Sequence, residues 1–131
     1  MRTLGALLTI VALGLAAAAA EGATGGTELR IAYREDGSRP SPQRVWTLRC
    51  DPPGGTHPAR AKACRGLARV GWQAFQPVPP DTACTEIYGG PQTAVVTGVV
   101  AGRHVWTRLR RENGCEIARW DRLAFLLPAM R

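Results

Sequence analysis

The residues whose types and spacing carry the clearest chemistry form the segment Cys84-Thr85-Glu86-Ile87-Tyr88, a substrate-like strand with a half-cystine at one end. A strand of this kind can add to the substrate-binding strand of a protease by main-chain hydrogen bonds while its side chains enter successive pockets. Holding Cys84 in a disulfide would order the strand before any encounter and remove that entropic penalty from binding. The chemistry implied is that of a bond offered for attack, not of an attacking group.

Groups that could attack are scarce. Ser38 and Ser41 are the only serines, and both sit in a proline-flanked loop with no G-x-S-x-G elbow. The four cysteines, Cys50, Cys64, Cys84 and Cys115, are better used in pairs than as a nucleophile beside a histidine. Carboxylates are scattered without an acid and base pair, and no phosphate-binding glycine loop or dinucleotide fingerprint occurs. His57 and His104 stand at no ligand spacing from the cysteines, so no zinc site is expected. The chain reads as a non-enzyme without cofactor or metal.

The elements that must hold the segment follow from the rest of the chain. Arg2, the apolar run from Leu4 to Leu15 and the small residues Ala16 to Ala20 have the pattern of a secretory signal peptide over residues 1–20. That run is too short and too alanine-rich for a membrane span, and no second long apolar stretch follows. An exported chain meets oxidising conditions in which paired thiols persist, so two disulfides are expected, with several connectivities open. The remainder, a Gly- and Ala-rich arm over 21–27 and a folded region over 28–131, is enough for one domain with a modest core.

Leu29, Ile31 and Tyr33 alternate with polar or small residues and predict a half-buried strand, with a second over Val45 to Leu48. Thr56 or His57 should cap a helix over Ala59 to Val70, with Pro58 at an early position and Cys64, Leu67 and Ala68 toward the core. Trp72 and Phe75 fall in a short helical turn that the prolines from Pro77 to Pro80 end. Thr93 to Val100, Arg103 to Arg111 and Arg122 to Leu127 read as strands, and the whole as a single α+β domain.

The formal net charge is +7, nearly all from arginine, since Lys62 is the only lysine. Alternation places Trp106, Arg108 and Arg110 on one strand face, where they could hold acidic polymers. The plainer reading is a solvated strand face with tryptophan packed under arginine stems. No nucleic-acid module is recognised, so nucleic acid is not an expected partner, and with no second long apolar stretch neither is a membrane once the signal is cleaved.

Gly54-Gly55-Thr56-His57-Pro58 with Ala63-Cys64, Thr47-Leu48-Arg49-Cys50, Gly98-Val99 with Gly102-Arg103, and Asn113-Gly114-Cys115 together resemble the Streptomyces subtilisin inhibitor-like family. The resemblance runs in order from about Thr47 to Cys115. It implies a secreted inhibitor of serine proteases with a five-stranded antiparallel sheet, two helices packed on one face, two disulfides and a homodimer formed through the sheets. It further implies disulfides Cys50–Cys64 and Cys84–Cys115, and a protease-binding loop of Ala83, Cys84, Thr85, Glu86, Ile87, Tyr88 and Gly89. In that register Glu86–Ile87 is the reactive bond, Glu86 is P1, and the Asn113 amide supports the loop by donating to its carbonyls. Cys-Thr before P1 is also similar to the Kazal inhibitors.

The implied partner is an extracellular serine protease. An acidic P1 points to glutamate-specific or subtilisin-like enzymes, because a pocket holding an aspartate should reject a carboxylate. Ala83 at P4 offers little apolar surface to a large S4 pocket. The alternative function is a non-inhibitory secreted binding protein on the same scaffold, an enzyme ligand or a polyanion binder through Arg108 and Arg110. The chain departs from the family at Gly89-Gly90-Pro91, which adds a residue and backbone freedom, and at Val100, where the family commonly has tryptophan. The tail after Cys115 is also unlike the family.

Overall fold

The computed structural model describes residues 25–38 and 40–129. The expected signal peptide lies outside the described residues. Alternating apolar side chains build four strands, β1 (Thr27–Arg34), β2 (Gln43–Cys50), β3 (Thr93–Val100) and β4 (Arg103–Leu109), and two helices, α1 (Arg60–Val70) and α2 (Gly114–Arg122). The strands form one antiparallel sheet in the order β2-β1-β3-β4. β1 begins at Thr27, paired with Cys50, so the first strand takes in the last residue of the expected arm.

Among the described residues four strands form the sheet, not the expected five. The segment expected to supply another, Arg122 to Leu127, instead ends α2 and makes a 3₁₀ turn over Ala124–Leu126. Trp120, Leu123, Leu126 and Leu127 are all buried, and their spacing of three and four residues suits a helical path rather than alternation. The turn that follows carries the Leu126 carbonyl to the buried His57 ring, 3.2 Å from Nε2.

One face of the sheet is the core. Leu29, Ile31, Tyr33, Leu48, Val96, Val105 and Leu109 point into it, against Leu67, Phe75, Trp120, Leu123 and Leu126. Each large apolar side chain buried this way contributes about 1.5 to 3 kcal/mol. α1 packs beside β2, to which the Cys50–Cys64 disulfide also joins it, and α2 contacts β4. Both helices therefore cover the same face.

The start of α1 differs from the expected cap. Its N-cap residue is Ala59, whose N–H donates to His57 Nδ1 at 3.1 Å, while Pro58 lies between them. Because a backbone N–H can only donate, Nδ1 carries no proton and Nε2 is the nitrogen that donates to Leu126 O. Thr56 is occupied elsewhere, exchanging hydrogen bonds of 2.9 and 3.2 Å with Thr47 on β2. The inward residues of α1 are Ala63, Gly66 and Leu67; Ala68 is exposed. Gly66 lies under Phe125, and a Cβ there would stand 2.5 Å from the ring.

Candidate functional site

Between the 3₁₀ turn Trp72–Phe75 and β3 the chain forms no regular structure. Prolines 77, 79 and 80 prevent a helix, and Thr82 Oγ1 donates to Pro79 O at 2.7 Å to close the approach. Cys84 is bonded to Cys115, in the first turn of α2. Beside this link Gly114 N–H donates to Thr85 O at 2.9 Å, and four residues after Thr85 the Gly89 N–H donates to Arg111 O at 2.7 Å. Glu86, Ile87 and Tyr88 bridge these two anchors.

The bridging side chains face solvent. Ile87 is 59% and Tyr88 68% exposed, which makes them two of the four large apolar residues at the surface among the described residues. Glu86 is exposed, and its carboxylate has no hydrogen-bond or ion-pair partner among the described residues. Ala83 and Thr85 are also exposed, while Cys84 and Gly89 are half-buried where the loop meets the body. The arrangement presents a short peptide outward with both of its shoulders fastened.

The C-terminal shoulder is held by Arg111. Its guanidinium Nη1 donates to Gly89 O and, at 3.2 Å, to Gln92 Oε1, and its Cζ lies 5.8 Å from the centre of the Trp120 ring. Its buried Nε has no partner. Gly90 has φ +130°, and a Cβ there would come 2.4 Å from Gln92 Oε1 and 3.0 Å from Arg111 Nη1. Ile117 of α2 packs against Gly89, where a Cβ would stand 2.9 Å from its Cδ1.

Asn113 occupies the N-cap of α2, and its Oδ1 accepts from Glu116 N–H at 3.0 Å. No bond from the Asn113 amide nitrogen to the loop occurs among the described residues; the contact with the loop passes through the next backbone N–H, that of Gly114. The helix itself is fixed by buried Arg119, which donates to Glu116 Oε2 at 2.7 Å, Gln76 O at 3.1 Å, Arg108 O at 3.3 Å and to Thr107 Oγ1. One arginine thus joins α2 to β4 and to the end of the 3₁₀ turn.

The pattern that defines subtilisin inhibitor-like proteins matches residues 23–113, which include the strands, α1 and the exposed loop. The chain belongs to the subtilisin inhibitor-like family. It is 37% identical over 123 residues to a subtilisin inhibitor of Streptomyces violaceus, covering 76% of this chain and 84% of that protein. It is 42% identical over 79 residues to subtilisin inhibitor-like protein 1 of Streptomyces cacaoi, covering 57% and 71% respectively. Its fold is similar to that of Streptomyces caespitosus sermetstatin, solved in complex with Bacillus licheniformis subtilisin. There the TM-score is 0.51 and the identity 25%, over 81% of this chain and 100% of that chain.

For a subtilisin inhibitor-like protein, sequence reasoning missed two supporting residues, Arg111 and Arg119, and expected a second helix without placing it at α2. Each left a signal. In β4 Val105, Thr107 and Leu109 face inward, so alternation carried two residues further puts Arg111 on the inner side. Asn113 followed three residues later by Glu116 is the signature of a helix start, and Ile117 and Trp120 continue it at helical spacing. Trp106, Arg108 and Arg110 are exposed as alternation required, but Arg110 is paired with Glu112 at 3.1 Å.

Proposed function

We propose that this chain is secreted and inhibits serine endopeptidases by presenting Glu86–Ile87 as a substrate-like reactive bond. The observation that carries this reading is the outward span Glu86-Ile87-Tyr88 held between the Thr85–Gly114 and Gly89–Arg111 backbone hydrogen bonds. A free peptide of the same sequence would be cut and released. Here both sides of the bond stay attached to one body, so a cut leaves the new termini adjacent and re-formation of the bond competes with release. The relatives are named as subtilisin inhibitors, and the sermetstatin structure contains subtilisin, which supports the reading.

Glu86 is P1 in this reading, with Thr85 at P2, Cys84 at P3, Ala83 at P4 and Tyr88 at P2′. Burying its carboxylate is favourable only where the S1 pocket provides a cation or hydrogen-bond donors, which favours glutamate-specific proteases and disfavours trypsin-like ones. Asn113 supports the loop at one remove, by capping the helix whose first residues, Gly114 and Cys115, grip it. Two copies pair through the outer sheet face, where Val45, Val95, Val99 and Trp106 lie and where Trp106 is 67% exposed.

The test is titration of a glutamyl endopeptidase, subtilisin and trypsin with the wild-type chain and with Glu86→Lys. Stoichiometric loss of glutamyl endopeptidase or subtilisin activity, and a shift toward trypsin in the variant, are expected. Degradation of the chain without loss of protease activity would sink the inhibitor reading, and three unchanged inhibition constants would remove Glu86 from P1.

A further inference from the structure

The two halves that a cut at Glu86–Ile87 would create are not held alike. The half ending in Glu86 is tied covalently, two residues away, through Cys84–Cys115. The half beginning at Ile87 has no covalent link to the body until it enters β3 at Thr93, and it passes through Gly89 and Gly90, the residues with the greatest backbone freedom. From the structure we infer that Arg111 is the positioning residue that retains this second half. The inference rests on the inhibitor reading above.

Arg111 takes both polar groups of one residue. Its carbonyl accepts the Gly89 N–H at 2.7 Å, and its guanidinium donates to the Gly89 carbonyl. The same Nη1 donates to Gln92 Oε1 at 3.2 Å, so it spans the far side of the glycine pair as well. The guanidinium is charged, which makes such hydrogen bonds stronger than neutral ones. The side chain lies beside the Trp120 ring, and its Nε is buried without an acceptor. Leaving a buried donor unpaired is unfavourable, so the placement of this side chain is sustained by the Gly89 and Gln92 bonds and by packing.

The anchor decides how far the new amine can move. With Gly89 fixed, two residues separate Ile87 from a held point, a reach of about 7 Å; with Gly89 free, six residues separate it from Thr93, a reach of about 20 Å. Accessible volume scales with the cube of that reach, so losing the anchor dilutes the amine by about 25-fold. In the acyl-enzyme, the Glu86 carbonyl carbon is esterified to the protease serine. The neutral Ile87 amine attacks that carbon, the C–N bond forms, the ester C–O bond breaks, and the surplus amine proton passes through the protease histidine to the departing serine oxygen. Dilution of the amine slows this step while leaving the first cut intact.

The experiment compares the full chain with Arg111→Met, which keeps a stem beside Trp120 but no donors, with Arg111→Lys, which restores a charged donor, and with Arg110→Ala as a surface control. Each is incubated with the protease that the wild type inhibits best, and the ratio of cut to intact chain and the rate of resynthesis from the cut form are measured. Arg111→Met keeps the backbone bond from Gly89 N–H to Arg111 O, so it is expected to shift the ratio toward the cut form and slow resynthesis by up to about 25-fold, the limit for a fully freed Gly89, with partial recovery in Arg111→Lys and no change in Arg110→Ala. A wild-type ratio in Arg111→Met would overturn the inference. Hydrogen exchange of the Gly89 amide, read without protease, decides the anchor separately: faster exchange in Arg111→Met supports it, and equal exchange overturns it. A wild-type chain that inhibits none of the proteases overturns the inhibitor reading, and Gly89 exchange then still decides whether Arg111 holds the segment.

Discussion

The Gly114 amide meets the Thr85 carbonyl at 2.9 Å, and each of the two residues is the chain neighbour of a cysteine in the Cys84–Cys115 bond. The hydrogen bond and the disulfide close a small ring at the N-terminal shoulder of the loop. A Cβ on Gly114 would fall 2.0 Å from Thr85 Oγ1, so either the Thr85 side chain turns away or the shoulder opens to admit it.

Gly114→Ala is therefore expected to weaken inhibition by about fivefold, the equivalent of roughly 1 kcal/mol for one backbone hydrogen bond. Alanine favours a helix, so the unfolding midpoint should hold or rise. Adding Thr85→Ala removes the clashing hydroxyl and should restore part of the inhibition. Inhibition constants and thermal melts of both variants check the separation of loop geometry from stability.

Arg119 and Glu116 form a nearly buried ion pair at 2.7 Å. Arg119→Ala strands the Glu116 carboxylate and removes the bonds to Gln76, Arg108 and Thr107, and should destabilise the fold by about 3 to 5 kcal/mol. Denaturant unfolding with the disulfides intact gives the value. A loss under about 1 kcal/mol would contradict the picture of α2 as fixed by this side chain.

Tyr33 is buried in the core, and burial, with the nearby Glu35 carboxylate accepting from its hydroxyl at 3.2 Å, raises its ionisation above the ordinary phenol range. A raised folded-state value means that the stability it confers is fully present below the ordinary phenol value and is lost as pH climbs through the folded value. Tyr88→Phe leaves Tyr33 as the one tyrosine of the chain. In that variant phenolate absorbance should appear at higher pH in the folded protein than in denaturant, accompanied by a falling unfolding midpoint.

The outer sheet face gives a prediction about association. Trp106, on edge strand β4, is opposite Thr97 and far more exposed than the core aromatics. Trp106→Glu should lower self-association, read by sedimentation, without changing protease titration per chain. An unchanged molecular mass would remove this face from the dimer contact.

How much of this was legible in the sequence depended on the kind of signal. β1, β3, α1 and the turn Trp72–Phe75 announced themselves because alternation, β-branching and proline breaks are local properties. The C-terminal region did not. Arg122 to Leu127 has the apolar content of a strand, and its spacing of three and four residues reads as helical only once Trp120 is counted with Leu123, Leu126 and Leu127. His57 looked like a cap from its position beside Pro58, yet its second nitrogen serves a carbonyl 69 residues away, a distance no local pattern conveys. The exposed loop was visible as residue types. What fastens it was less visible, since Arg111 adjoins Arg108 and Arg110, the residues that read as a solvated strand face.

The outward span Glu86-Ile87-Tyr88 has a consequence for how such a protein can change over generations. Its three side chains are exposed and contribute little to the core, so substitutions there leave the stability of the body nearly unchanged, and under the proposed function they would alter what the molecule recognises. The fastening residues have the opposite character: a side chain at Gly89 would crowd Ile117, and Gly90 holds a φ of +130° that residues with a Cβ rarely adopt. Under the proposed function, diversification at these exposed positions would let a lineage carrying this scaffold follow a changing set of proteases without first acquiring compensating mutations in the core.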